Sequence, residues 1–249
     1  MKIIVVSQNS IRKRFLRLNA FYEKESFGEF TIYKSSNIPD LVVFYFGIMK
    51  SLKERLSDLI EQYNPVFIIS LGFASSIIQN VKIGSVLRFS QVSSVSGPMA
   101  LWNKDNKQNF SVPVNRPLSV LFETLDENRG RFYEGSLMTT PRLISTFRMK
   151  RWVSEEFQVS AIDRDGAYVA DLCQHQNLPY ALIRSINNDL NTNSSKLISL
   201  LGMEAPLGFW RGLITPQHYP SYMRLRLRNL KAQRNLERLL ERVLRLELY

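Results

Sequence analysis

Apolar positions along the chain follow two rhythms. Short runs rich in β-branched and aromatic residues recur at 2–6, 30–33, 41–46, 66–70, 85–89, 135–138, 161–163 and 180–186, which is the length and composition of β-strands. Between them lie segments with helical period. Residues 51–63 place Leu52, Leu56, Leu59, Ile60 and Tyr63 on one stripe, and residues 166–176 place Val169, Leu172 and Cys173 on another. Strands interleaved with helices predict an α/β layer structure. The run Leu41-Val42-Val43-Phe44-Tyr45-Phe46 has no polar alternation, so its sheet must be covered on both faces. A three-layer α/β/α sandwich follows. Residues 93–116 are rich in Ser, Gly, Asn and Lys without a clear period and predict a long surface loop; residues 187–195, rich in Asn and Ser, predict an irregular segment directly after a strand.

Charge divides the chain unevenly. Residues 221–249 carry seven Arg and one Lys against three Glu, a net +5 out of the whole chain's +11. This predicts a domain over 1–220 and a basic amphipathic helix over 221–249. In that helix Leu236, Leu239, Leu240, Val243 and Leu246 form an apolar stripe, and Arg234, Arg238, Arg242 and Arg245 crowd another face. Such a helix can dock on its own domain, pair with a second subunit in a homo-oligomer such as a dimer, or lie on an anionic membrane surface. Docking and pairing are the ordinary choices. Nucleic acid is a poor candidate, because no aromatic residues interleave with the arginines.

Other classes are excluded by composition. The longest apolar runs are strand-sized, far short of the ~20 residues that a spanning helix needs, and the stretch after Met1 is too short for a signal-peptide core, so a cytoplasmic location is expected. One cysteine, Cys173, cannot form an internal disulfide, and with only His175 and His218 beside it a Cys/His metal site lacks ligands. No metal or cofactor is expected. Two histidines without a G-x-S-x-G turn also make a Ser-His-Asp hydrolase unattractive.

Three segments carry chemistry. The first runs from Gly47-Ile48-Met49-Lys50 through a helix to Asn64-Pro65 and Leu71-Gly72-Phe73-Ala74, then to Val81-Lys82-Ile83-Gly84. A strand ending at small residues lets the backbone approach a ligand, or simply packs a tight turn. The second is Ala161-Ile162-Asp163-Arg164-Asp165-Gly166, where the two carboxylates either cap the following helix or bind a ligand's hydroxyls. The third is Leu178-Pro179-Tyr180 through Arg184-Ser185-Ile186-Asn187-Asn188-Asp189.

In order and spacing these segments resemble the nucleoside phosphorylase and nucleosidase superfamily, most of all the methylthioadenosine/S-adenosylhomocysteine nucleosidases. The tail resembles that of hopanoid-associated adenosyl nucleosidases. The resemblance implies a mixed central sheet and a pocket for a purine nucleoside, with the base near Gly72, Phe73 and Ala74. It implies that Asp165 takes the place of the glutamate that holds the ribose hydroxyls, with Asp163 two residues before it and Arg164 where the family has a methionine on the sugar. Arg184 would fix the last loop. Asn188 falls where the family's aspartate protonates N7 of the purine, and Asp189 could act there only after a one-residue shift.

The chain departs from the family near its beginning. No acid precedes Glu23, so the water-activating glutamate that nucleosidases carry after the first strand is missing. A Ser/Asn loop with Ser7 and Arg12 is a candidate for holding phosphate instead, beside the plainer reading of a solvated basic face. Two functions are therefore weighed: cleavage of the N-glycosidic bond of a purine nucleoside, by water or phosphate, and a catalytically inert relative that binds a nucleoside or a protein partner.

Overall fold

The computed structural model describes residues 3–7, 11–27, 30–38, 40–46, 52–112, 132–192 and 219–246. The predicted tract at Gly47–Lys50, and residues 193–218, lie outside them. In chain order the elements are β1 (Ile3–Ser7), α1 (Lys13–Leu18), β2 (Phe21–Phe27), β3 (Phe30–Ser35), β4 (Leu41–Phe46), α2 (Leu52–Tyr63), β5 (Phe67–Ser76), β6 (Val86–Ser94), β7 (Gln108–Ser111), β8 (Phe132–Thr139), α3 (Phe147–Phe157), β9 (Ala161–Asp163), α4 (Gly166–His175), β10 (Tyr180–Asn188) and α5 (Tyr219–Leu246).

The strands form one mixed sheet. Strand β5 is its hub, pairing in parallel with β1 and β10 and antiparallel with β9. From β10 the pairing continues through β6 and β8 to β9 and so returns to β5, closing a ring of five strands. On the other side β1, β4, β3 and β2 extend the sheet to an edge. The three-layer expectation holds, with α2 and α4 on one face and α1 and α5 on the other. Alternate residues of β5 feed two cores: Ile68 and Ala74 join Leu56, Ile60, Val169 and Leu182 in the first, while Ile69 and Leu71 join Phe15, Ile183, Leu236 and Leu240 in the second. A third cluster, including Trp102, Ile144, Val153 and Phe157, lies under α3.

Several boundaries differ from the sequence expectation. The strand expected over 66–70 runs from Phe67 to Ser76, because pairing with β10 carries it through Gly72 and Ala74. The small residues are therefore in mid-strand and not at a tip. Strand β2 went unread because charged residues such as Glu23, Lys24 and Glu25 hide the period of an edge strand that faces solvent. Strand β7 lies within the loop expected over 93–116, and among its residues only Phe110 is buried. Helix α3 is an unforeseen element whose Thr146 side chain caps it by accepting from the Met149 N–H at 3.3 Å.

Helix α5 packs against the domain. Ala232, Leu236, Leu239 and Leu240 are buried, so most of the described apolar stripe is spent on the second core. Asn235 Nδ2 donates to the carbonyl of Gly84 at 2.5 Å. Arg224, Arg226, Arg234, Arg238 and Arg242 remain exposed, and the exposed Lys231 side chain passes over Gly84. No described helix is long and apolar enough to cross a membrane.

Candidate active site

The site is built around Arg184, whose guanidinium is fully buried on β10. Burying a cation is costly unless its donors are met by acceptors and its charge by a carboxylate. Here Nη1 donates to the Ser70 carbonyl at 3.0 Å, the Ser70 hydroxyl at 3.2 Å and the Ile183 carbonyl at 3.0 Å, and Nε donates to Asp163 Oδ2 at 2.9 Å. Gly72 is opposite Arg184 in the β5–β10 register. A Cβ there would sit 3.1 Å from both Cδ and Nε of the arginine. The room that the sequence reading gave to a ligand backbone contact is therefore taken by the Arg184 side chain. Ala74 faces the first core and Phe73 packs against the second, on opposite faces of β5.

The two carboxylates of the Asp163-Arg164-Asp165 motif are held differently. Asp163 is the structural one. Its Oδ1 accepts from Thr139 Oγ1 at 2.6 Å, and its Oδ2 accepts from the Gly166 N–H at 3.0 Å as well as from Arg184. It thus satisfies the first N–H of α4, while Thr139 Oγ1 in turn accepts from the Ala167 N–H at 2.8 Å. A larger residue than Gly166 would disturb this packing, since a Cβ would lie 2.7 Å from Asp163 Oδ2 and 2.7 Å from Leu137 Cδ2.

Asp165 occupies the N-cap position of α4 but makes no side-chain cap hydrogen bond. Its Oδ2 is 3.5 Å from Arg184 Nη2, and among the described residues neither of these two buried atoms has a hydrogen-bond partner. The Asp165 carboxyl is pushed up to about 7, chiefly by desolvation, with Arg184 opposing the rise and the neighbouring Asp163 adding to it. The two groups thus face each other as a buried ion pair whose facing atoms make no hydrogen bond among the described residues. Arg164, between the two acids, is exposed.

Asn188 ends β10, is 9% exposed, and pairs with Ser75 after a register shift at Asn187. Asp189 begins the turn that follows. Its Oδ1 accepts from Thr192 Oγ1 at 2.5 Å, and its carbonyl accepts from Lys150 Nζ at 2.6 Å. The strand pairing thus places Asn188, not Asp189, at the end of β10, and it is Asp189's carboxylate that is committed within the turn. Arg184 and Asn188 share one strand four residues apart, with Asp165 beside the former; Gly72 joins them through Arg184.

The candidate phosphate loop is arranged differently. The Arg12 backbone N–H and Nε both donate to Glu237 Oε1, at 3.0 and 2.7 Å, and its Nη2 pairs with Glu237 Oε2. Its fork is therefore filled by a buried carboxylate from α5, and phosphate would have to displace that pair. Ser7 ends β1 opposite Leu71 and Tyr45. Sequence reasoning passed over Thr139, Ser70 and Lys150. Only Lys150 left a readable signal: it falls at helical spacing with Val153 and Phe157, a charge on an apolar stripe.

The fold is shared with known proteins. The 5'-methylthioadenosine/S-adenosylhomocysteine nucleosidase of Maridesulfovibrio salexigens is 24% identical over 189 residues, which is 72% of this chain and 82% of that protein. Among solved structures, the nucleosidase of the same name from Helicobacter pylori in complex with butyl-thio-DADMe-Immucillin-A superposes with a TM-score of 0.68 at 18% identity, covering 97% of this chain and 98% of the other. A futalosine hydrolase mutant from Helicobacter pylori superposes with a TM-score of 0.66 at 16% identity, over 97% and 99% of the two chains. The profile of the phosphorylase superfamily matches residues 19–200, the stretch that holds β5, the Asp163–Gly166 helix start and the end of β10, and the chain belongs to that superfamily.

Proposed function

We propose that the protein cleaves the N-glycosidic bond of a purine nucleoside. The observation that carries this reading is Asp165: a buried carboxylate whose Oδ2, like Arg184 Nη2 beside it, lacks a hydrogen-bond partner among the described residues. A cis-diol offers two donors to a carboxylate and an acceptor to a guanidinium, so a ribose admitted by a shift of the Asp165 side chain, whose Oδ2 is sealed from solvent together with the facing Nη2, meets both atoms at once. Hydroxyl donors also favour the ionised form, against the desolvation that raises the Asp165 pKa. An ionised Asp165 then stabilises the positive charge that develops on the sugar as the bond to the base breaks.

Asn188 is the residue for the base. Its amide donates a hydrogen bond to N7 and supports the charge that accumulates on the leaving purine, but it holds no proton to transfer. Arg184 is a positioning residue that orients Asp165 and ties β10 to β5. Similarity to nucleosidases, together with the retained acid at position 165, favours an active enzyme over an inert binding protein. The closed Arg12–Glu237 pair weakens the case for phosphate as acceptor.

Incubation with adenosine, methylthioadenosine, S-adenosylhomocysteine, futalosine and inosine, with and without phosphate, tests the reading by release of free base. Base release that falls at least about tenfold in Asp165→Asn is expected; release without phosphate would place a water-activating group elsewhere than after β1. Phosphate-dependent release would make the protein a phosphorylase. Ligand binding with no release from any of these nucleosides would leave the inert binding protein standing.

A homo-oligomer, a dimer in the simplest case, is proposed alongside this activity. Leu101, Leu143 and Phe147 are large exposed apolar side chains next to residues of the third core cluster, and light scattering of the full chain measures the mass directly.

A further inference from the structure

The turn after β10 is held from two sides by cations that the proposed chemistry does not use. On one side is Lys150 of α3, whose side chain is 0% exposed and whose Nζ donates to the carbonyls of Asp189 and Thr192 at 2.6 and 2.9 Å. On the other side is Arg228 of α5, whose Nη1 donates to Thr192 Oγ1 at 2.8 Å; that hydroxyl donates onward to Asp189 Oδ1. The Thr192 N–H closes the turn on the Asp189 carbonyl at 3.1 Å. Just before the turn, Asn187 Nδ2 donates to Asn229 Oδ1 of α5 at 3.1 Å.

Packing alone does not call for these cations. Lys150 lies on the same stripe as Val153 and Phe157, where a methionine of similar length fills the space without desolvating an ammonium group. The ammonium is fully withdrawn from solvent, and burial lowers the Lys150 pKa to about 8 despite the nearby Asp189 carboxylate. A buried cation directed at two backbone carbonyls fixes the path of a turn more tightly than apolar contact does.

We propose that Lys150 and Arg228 are positioning residues, a two-sided clamp that fixes the Asp189–Thr192 turn and through it sets Asn188 against the purine base. The clamp makes α5 a working part of the site. Its role in catalysis rests on the nucleoside reading given above, whereas its hold on the turn does not.

The test uses the full-length chain and the variants Lys150→Met, Lys150→Arg, Arg228→Met and the double variant Lys150→Met/Arg228→Met, with Arg238→Met as a control on the exposed side of α5. Amide hydrogen exchange at residues 189–192 reads the clamp itself: each Met variant should lose protection there while the core strands keep theirs. With the nucleoside that wild type cleaves fastest, kcat should fall about tenfold in each single variant. A misplaced reacting group costs on the order of a hundredfold, so the double variant should approach that loss. KM for the same nucleoside should change much less, and Lys150→Arg should recover part of the activity. Arg238→Met should match wild type. Unchanged exchange in the 189–192 turn, or wild-type kcat in Arg228→Met with altered exchange, overturns the proposal. Should Lys150→Met fail to fold, Arg228→Met, at a half-buried surface position, carries the same test. Wild-type inactivity towards every nucleoside would instead overturn the proposed function and leave the exchange result to decide the clamp.

Discussion

Replacing Arg184 with methionine removes the cation at the centre of the site while keeping most of its volume. In the native protein its guanidinium, 0% exposed, satisfies Asp163 Oδ2, the Ser70 carbonyl and hydroxyl and the Ile183 carbonyl, and faces Asp165 at 3.5 Å. Methionine leaves two buried carboxylates side by side without a counter-charge. Breaking a buried ion pair by deleting one partner costs about 3–5 kcal/mol, so a loss of about that size is expected in denaturant unfolding.

The loss should depend on pH, with a definite sign. The Asp165 carboxyl is raised to about 7 from 3.8. Between those values the folded state keeps a proton that the unfolded state has released. Its contribution to stability is therefore complete below about pH 4 and declines as pH rises towards about 7, by at most about 1.4 kcal/mol per pH unit. Arg184 is the group that lowers this pKa, so in Arg184→Met the decline extends to higher pH and the variant loses most at about pH 8. Urea titrations of both proteins at about pH 5, 7 and 8 measure this. A variant within about 0.5 kcal/mol of wild type at every pH, or one that gains stability towards alkaline pH, would refute the account of Arg184 as the buried counter-ion of the pair.

Four further outcomes are expected. Asp165→Asn should flatten the same pH dependence between about pH 4 and 7, as unfolding curves will show, because an amide has no proton to release there. Gly166→Ala should destabilise the domain by about 1–3 kcal/mol, since its methyl group meets Asp163 Oδ2 and Leu137 at 2.7 Å; thermal melts read the loss. Asn188→Ala should lower base release by at least about tenfold, while Asp189→Ala, which removes the acceptor of the Thr192 hydroxyl in the clamped turn and a carboxylate near Lys150, should lower it by about as much as Arg228→Met; a loss well beyond that of Arg228→Met would place the base-facing group one residue later. Acidic vesicles should bind the full chain weakly and only at low salt, because Leu236, Leu239 and Leu240 are buried in the domain and only the arginine face is left for an electrostatic contact; salt-resistant binding in a flotation assay would show that α5 leaves the domain.

Much of the fold can be read from local pattern. The unbroken apolar run in β4 announces a strand covered on both faces, and the stripe of Leu52, Leu56, Leu59, Ile60 and Tyr63 announces α2, all five of which are buried. These succeed because period and burial are the same fact seen twice: a residue's place on a helix or strand fixes the side it presents. Edge strands β2 and β7 escape because solvent on one side lets charged and amide residues replace the apolar ones. The order and spacing of the Gly72, Asp165 and Arg184 segments are likewise legible, since each is a short stretch with its own backbone requirement.

Roles at the site are a different matter. Nothing in the residues Asp163-Arg164-Asp165 tells which carboxylate caps α4 and which stays unsatisfied; the Thr139 hydroxyl and the Arg184 guanidinium, arriving from β8 and β10, make that choice. Arg12 reads as a phosphate ligand until Glu237, 225 residues away, closes on it. Gly72 reads as room for a ligand until Arg184 fills that room. Secondary structure and family pattern lie in the sequence because neighbouring residues dictate them through backbone geometry and burial. The state of each polar group depends on which distant partner packing brings within about 3 Å of it, and no local pattern encodes that distance.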